Sequence, residues 1–270
     1  MSERASMRAG GIWQVAKPQV RNVLRSRWLV CYFAFFLIAT EGLLRFTGGD
    51  EKTLLSLANV VLFVVPLVTI VYGTIYLYSS RAFTEILLAQ PLKRRTVFLG
   101  LYLGLAIPLT AAFVGGVLAP FIAHGISAEG RAPLTTMLVE GGALTLVFTS
   151  ISFLVALKFE DRLTGLGAGM AIWLLFGLVY DGVLLFVVAV FSDHSIEKAL
   201  LLVSLANPID LARIALLLQF DVSALMGYTG AVFGRFFSGA TGLAVIAAAL
   251  TLWISVPLAG GFFAFKRKDF

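Results

Sequence analysis

Ser79-Ser80-Arg81-Ala82-Phe83-Thr84-Glu85-Ile86-Leu87-Leu88-Ala89-Gln90-Pro91-Leu92-Lys93-Arg94-Arg95 joins two apolar runs, Leu54–Tyr78 and Thr96–Ala123. Each run exceeds the roughly 20 residues that a helix needs to cross the ~30 Å hydrocarbon core of a bilayer. The segment between them is too polar to span and too apolar to be a plain solvated loop. Phe83, Ile86 and Leu87 fall at i, i+3 and i+4, with Arg81 and Glu85 one turn apart on another face. That spacing predicts a short amphipathic helix. Pro91 stops it, because proline has no N–H to donate and clashes with the preceding turn. Three consecutive cations, Lys93, Arg94 and Arg95, precede the next run. An amphipathic helix at a basic membrane face offers a soluble partner a surface to push on.

Four further runs reach membrane length: Trp28–Phe46, Leu134–Leu157, Leu163–Phe191 and Ser238–Phe265. The fold class expected is an all-α membrane protein of six transmembrane helices, forming a single transmembrane domain over residues 1–270. The 270 residues are 59% hydrophobic and 13% charged, about half the charge of an average soluble domain. A mean hydropathy of +0.94 points the same way. The net charge of +6 does not imply nucleic acid, since the cations cluster at the ends of apolar runs, where anionic headgroups meet them. Cys31 is the sole cysteine, so neither an intrachain disulfide nor a thiolate metal cluster can form.

Lys and Arg are strongly asymmetric about the spans. One side collects Arg4, Arg8, Lys17, Arg21, Arg25 and Arg27, then Arg81 and Lys93–Arg95, then Lys158 and Arg162, then Lys266–Lys268. The other side holds scattered Arg45, Lys52, Arg131, Lys198, Arg213 and Arg235. The positive-inside rule places both termini and the 79–95 segment in the cytoplasm of a cell inner membrane protein. Residues 1–27 then read as a cytoplasmic interfacial helix with Trp13 as its anchor, or else as a frayed basic tail. The first apolar run is too long for a signal peptide and lacks a clear cleavage site. Residues 192–237 form the one long connection and face outward. Within it, Asn207 is a good N-cap, Pro208 suits the first helical position and Asp210 the first turn. Leu211, Ile214, Ala215 and Leu218 form a stripe, and Asp210 can pair with Arg213 at i, i+3. Pro208–Gln219 is read as an amphipathic helix lying on or dipping into the outer leaflet, or as a lid over an outer exit.

Chemistry-bearing patterns are sparse. No G-x-x-x-x-G-K-[ST] occurs, so the chain cannot cradle nucleotide phosphates in the P-loop manner. Gly165-Leu166-Gly167-Ala168-Gly169 lies inside an apolar run and reads as close helix packing, as does Gly100-x-x-x-Gly104, within the chain or across a dimer. Neither His124 nor His194 belongs to a metalloprotease motif, and Asp193-His194-Ser195 reads as a polar loop. A soft-metal path along Met137, Met170 and Met226 is conceivable but scattered. Glu41, Glu140 and Asp181 fall within or near spans, where ionisable groups face a bundle interior or a water-filled cavity. Glu41 pairs locally with Arg45 at i, i+4, and Glu140 lies near the outer end of its span. Asp181, the deepest, either lines a translocation path or hydrogen-bonds a neighbouring helix. Tyr180-Asp181 matches half of an intramembrane aspartyl protease, but no second intramembrane aspartate accompanies it.

Six spans, cytoplasmic termini and an amphipathic cytoplasmic helix after the second span resemble the membrane subunit of an ABC exporter of the ABC-2-like class. Glu85–Arg95 with Val97-Phe98-Leu99-Gly100 looks like the "LL…P…R…G" pattern of that class. Asn207-Pro208-Ile209-Asp210 and Trp173–Leu185 are similar to NosY-type permeases, which serve maturation of nitrous oxide reductase. Ser79-Ser80-Arg81 stands where many such permeases carry acidic residues and a glycine. The resemblance implies a homodimer with two cytosolic ABC ATPase subunits that bind the ATP, each docking one coupling helix. On that reading Arg81 and Glu85 contact the ATPase, Phe83, Ile86 and Leu87 anchor the helix, and Gln90-Pro91 end it. The permease itself has no catalytic residues, cofactor or metal. The NosY-like version adds a periplasmic accessory protein and a supply of sulfur or copper. The alternatives are an exporter of a lipid, drug or peptide, and a membrane scaffold that transmits force without translocation.

Overall fold

Alternating apolar runs and short polar links give a bundle of antiparallel helices. A computed structural model describes residues 2–47, 49–183, 186, 203–219 and 239–268, and the described residues contain helices and no strand. The helices are α1 (Ser2–Leu24), α2 (Arg27–Thr47), α3 (Asp50–Ser79), α4 (Arg81–Leu88), α5 (Arg94–His124), α6 (Arg131–Lys158), α7 (Arg162–Leu174), α8 (Pro208–Gln219) and α9 (Ala240–Arg267). A π-helical turn, Leu175–Val179, extends α7. Six of these elements are long and apolar enough to cross a membrane: α2, α3, α5, α6, Arg162–Val183 and Thr241–Arg267. The chain is thus a multi-pass membrane protein, with span limits within a few residues of those read from the apolar runs. The last part of the fifth run, beyond residue 186, and most of the 192–237 connection lie outside the described residues.

α3, α5 and α6 form the centre, with Phe98, Phe113, Phe148 and Phe153 fully buried. α2 lies on α5 and α3, α7 on α3, and α9 on α6. Close approach follows from small residues. A Cβ at Gly141 would strike the Phe113 ring, and one at Gly73 the Ser152 side chain. Gly165 and Gly169 seat α7 on Tyr78, Ile70 and Thr74 of α3, so this glycine cluster packs helices within the chain.

α3, α6 and α9 all end at the basic face, so three negative dipole ends converge there. Cations cover them. Arg94 Nη1 donates to the carbonyls of Phe265 (3.3 Å), Lys266 (2.9 Å) and Lys268 (2.9 Å). Lys268 Nζ reaches the Leu157 carbonyl at 3.4 Å. Burial, and then the nearby Arg81 charge, lowers the Lys268 pKa, with Glu160 opposing. The opposite end is tied by Glu41, whose carboxylate bonds Arg45 Nε (2.7 Å) and His124 Nε2 (3.0 Å), and by Asp50, which accepts from Ser127 N at 2.8 Å.

One expectation changes. α8 is not laid on the bilayer surface: Ile209, Leu211, Ala212, Ile214, Ala215 and Leu216 are all buried, packed on α6, α9 and α3. Its apolar residues surround the helix instead of forming one stripe, and a helix apolar all round goes inside. α1 is a packed helix and not a frayed tail. Val15, Ala16, Gln19 and Val23 are buried, and α1 packs closely on α5. Gly100 and Gly104 permit this, since a Cβ there would lie 2.6 Å from Val15 Cβ and 2.5 Å from Gln19 Cβ. Buried Gln19 then accepts from the Tyr76 hydroxyl at 2.9 Å. Trp13 stays exposed on the outer side of α1. Overpacking of this kind costs about 1–3 kcal/mol, so Gly104→Val is expected to lift α1 off α5. Trypsin should then cut at Arg25 and Arg27 several-fold faster than in the native chain, and an unchanged rate would refute this packing.

Candidate functional site

A single residue, Ser80, separates α4 from α3, and local hydrogen bonds fix the roll of α4. Ser80 Oγ donates to the Tyr76 carbonyl (2.8 Å) and Thr84 Oγ1 to the Ser80 carbonyl (2.8 Å). A threonine whose hydroxyl is satisfied by the carbonyl four residues back can be buried, and Thr84 is buried together with Leu87. Phe83 and Leu88 are half-buried against the core. Ala82, Glu85, Ile86 and Ala89 (i, i+3, i+4, i+7) form the outward stripe, continued by exposed Gln90 and Pro91. The helix ends at Leu88 with Ala89 as its cap, just ahead of the proline.

One expected role is thereby corrected. Ile86 does not anchor α4 but is 62% exposed on its outer face; Thr84 takes the inward position. Arg81 is directed at the chain itself. Its guanidinium sits 4.6 Å from the Tyr78 ring centre, and Nη2 donates to the Glu160 carbonyl at 3.0 Å. The Tyr78 hydroxyl lies 2.9 Å from the Phe159 carbonyl and 3.1 Å from that of Asp161. The end of α3 and the start of α4 therefore hold three successive carbonyls of the α6–α7 turn. Asp161 caps α7, accepting from Thr164 N and Thr164 Oγ1, both at 2.8 Å. The Thr164 backbone N–H, then its hydroxyl, hold the Asp161 carboxyl below its usual pKa.

A second polar cluster joins α7 to α8. In the π turn the Tyr180 N–H bonds the Leu175 carbonyl, five residues back. The Phe176 carbonyl thus loses the partner an α-helix would supply, and Asn207 Nδ2 donates to it at 2.9 Å. The Asn207 Oδ1 meanwhile caps α8, accepting from Ile209 N at 2.9 Å. Arg213 Nη1 bridges Asp181 Oδ1 (2.8 Å) and Asp210 Oδ1 (3.1 Å). Burial raises the Asp210 carboxyl above the usual carboxylate range, with Arg213 opposing and Asp181 adding to the rise. The Tyr180 hydroxyl bonds the Val203 carbonyl, and Trp253 Nε1 the Leu205 carbonyl at 3.2 Å.

Of the three span acids, each goes to a different place. Asp181 joins this cluster, Glu41 joins α2 to α5, and Glu140 is buried in α6 with one carboxylate oxygen unpartnered among the described residues. Met137 is buried in α6 and Met170 exposed on α7, while Met226 and His194 lie outside the described residues. Sequence reading found the Asn207 cap and the Asp210–Arg213 pair. It missed Tyr78, Thr84 and the α7–α8 link; the Tyr at the end of α3, opposite a glycine-bearing helix start, was the available signal.

Asn207 serves two helices, and its two roles separate by substitution. Asn207→Ala removes the cap and orphans a buried carbonyl, an expected loss of about 2–3 kcal/mol. Asn207→Ser keeps a cap oxygen without setting a second acceptor against the Phe176 carbonyl, and should cost roughly half as much, read as the midpoint of thermal unfolding in detergent. A serine variant as stable as the native chain would show that the Phe176 carbonyl does not need this amide.

The chain matches the family model described as ABC-2 family transporter protein over residues 60–270. It is 27% identical over 279 residues to a probable ABC transporter permease protein NosY of Stutzerimonas stutzeri, covering 95% of this chain and 98% of that one. A probable ABC transporter permease protein NosY of Pseudomonas aeruginosa is 25% identical over 283 residues, with the same shares covered.

Proposed function

The chain belongs to the ABC-2 family of transporter proteins and is a permease subunit of an ABC transporter, and from that premise we propose how it takes up force. The family implies an ATPase partner. In our reading the basic face is cytoplasmic, in the inner membrane, and a separate cytosolic ATPase docks on the outward stripe of α4. Glu85, Ile86 and Gln90 meet the partner, while Thr84, Leu87 and Phe83 hold the helix to the bundle. ATP is bound by the partner, and two copies of the permease pair about the assembly axis. Arg81 and Tyr78 are positioning residues: they pass displacement of α4 to the α6–α7 turn, and so to α7. The π turn, Asn207 and the Asp181–Arg213–Asp210 bridge carry it on to α8 at the opposite end.

The observation that carries this reading is the double character of α4. One face is packed and hydrogen-bonded into the bundle, and the other is an exposed stripe bearing an isoleucine. End-to-end similarity to NosY permeases supports a place in nitrous oxide reductase maturation, supplying sulfur or copper through a periplasmic accessory protein. Loss of the chain should then leave nitrous oxide reductase inactive while its polypeptide is still exported.

Two variants test the coupling separately. Glu85→Lys with Ile86→Asp should abolish co-purification of the ATPase and leave the permease in the membrane. Tyr78→Phe with Arg81→Ala should retain the ATPase but break transmission. With Cys31→Ser as background, thiol labelling at Leu163→Cys on α7 should change several-fold with ATP in the intact complex, and not in that variant. Normal co-purification of the first variant, or a normal ATP response in the second, would overturn the reading.

A further inference from the structure

The basic-face halves of α2 and α3 border a groove of about 510 Å³ lined by apolar and aromatic side chains. Trp28, Cys31 and Phe35 form one wall, and Val64, Val68 and Ile75 the other. From Val64 to Ile75 the groove runs about 16 Å at 1.5 Å per residue. That is close to half of the ~30 Å hydrocarbon core, the depth of a single leaflet. The groove therefore has the length and polarity of one acyl chain.

Two cations stand in the chain just before its first lining residue, Trp28. Arg25 lies in the α1–α2 link, and Arg27 lies in the first turn of α2, one turn before Cys31 and on the same side of the helix. Both are exposed, and neither takes part in an ion pair among the described residues. Arg81, Arg94 and Lys268, at the same face, are all engaged with carbonyls. Arg27 gains nothing from its own helix, since a cation in a first turn opposes the dipole. Two arginines and a positive helix end beside an apolar slot instead suit a phosphate bearing an acyl chain. A second copy facing this groove across a two-fold axis along the membrane normal would bring the same arginines together. The like charges disfavour it.

We propose that the α2–α3 groove binds one anionic phospholipid, its acyl chain between Phe35 and Val68 and its phosphate at Arg25 and Arg27. The bound lipid fills the space between two spans and fixes the level of α2 in the leaflet.

Cys31, the sole cysteine, reports directly on the groove, because it is exposed and lines it. The full chain in a non-ionic detergent is labelled with N-ethylmaleimide while dioleoyl phosphatidylglycerol or dioleoyl phosphatidylcholine is added. The anionic lipid should slow labelling at least threefold and saturably, at mole fractions where the zwitterionic lipid has little effect. Inorganic phosphate alone should not protect. Arg25→Gln with Arg27→Gln should remove the difference between the lipids, and Val68→Trp, which fills the slot, should abolish lipid protection with both arginines present. Equal protection by the two lipids would mean a non-selective lipid annulus and overturn the proposal. Unchanged selectivity in the arginine variant, or protection that grows with protein concentration in the absence of lipid, would also overturn it; the latter would mark a second copy as the occupant.

Discussion

Three successive carbonyls, those of Phe159, Glu160 and Asp161, are held by the Tyr78 hydroxyl and the Arg81 guanidinium. The exterior helix, the central spans and the entry to α7 all meet at this junction. The three carbonyls lie in the turn where α6 has ended and α7 has barely begun, so those of Phe159 and Glu160 need donors from elsewhere, while that of Asp161 also accepts from Gly165 N at 3.0 Å. A residue on α3 and a residue on α4 supply them, which makes the position of α4 and the position of the α6–α7 turn a single variable. Gly165 allows the approach, because a Cβ there would collide with the Tyr78 side chain. The surrounding cations follow the same logic, with Arg94 and Lys268 closing the ends of α9 and α6. Much of the basic charge at this face is thus structural as well as topological.

The opposite half obeys the other constraint of a membrane interior, that every freed backbone group must find a partner. The π turn in the fifth span frees the Phe176 carbonyl, and the amide of Asn207 takes it. The same side chain starts α8, so the irregularity in one helix is fastened to the beginning of another. Arg213 adds a charged tie to Asp181 and Asp210. Because α8 is also buried against α6 and α9, displacement of α7 cannot leave it behind without exposing polar groups. The two polar junctions bracket α7, one at each end of its described length.

Sequence periodicity located the spans well, because membrane length and apolar content are local properties. Gly100 and Gly104 were legible as a packing pair, although only the structure names α1 as the partner. Asn207, Pro208 and Asp210 announced a helix start correctly. The burial of α8 was not legible: it depends on α6 and α9 offering a surface, and such a surface has no local signature. α4 shows the limit most sharply. Its apolar spacing placed Ile86 inward, but Thr84 satisfies its own hydroxyl and Arg81 finds Glu160, 79 residues away. The helix is rolled accordingly. Asp181 with Arg213, 32 residues apart, is a pairing of the same kind, chosen by the fold and invisible to spacing.

In our reading α4 presents Ile86 to the ATPase and turns its other face to the permease. Photo-crosslinking in the assembled complex tests this at two neighbouring positions. A photoreactive residue at Ile86 should give an adduct with the ATPase, and one at half-buried Leu88 should give adducts only within the permease. Adducts to the ATPase from Leu88 and none from Ile86 would show that the helix faces the other way, and the account of its two faces would be wrong.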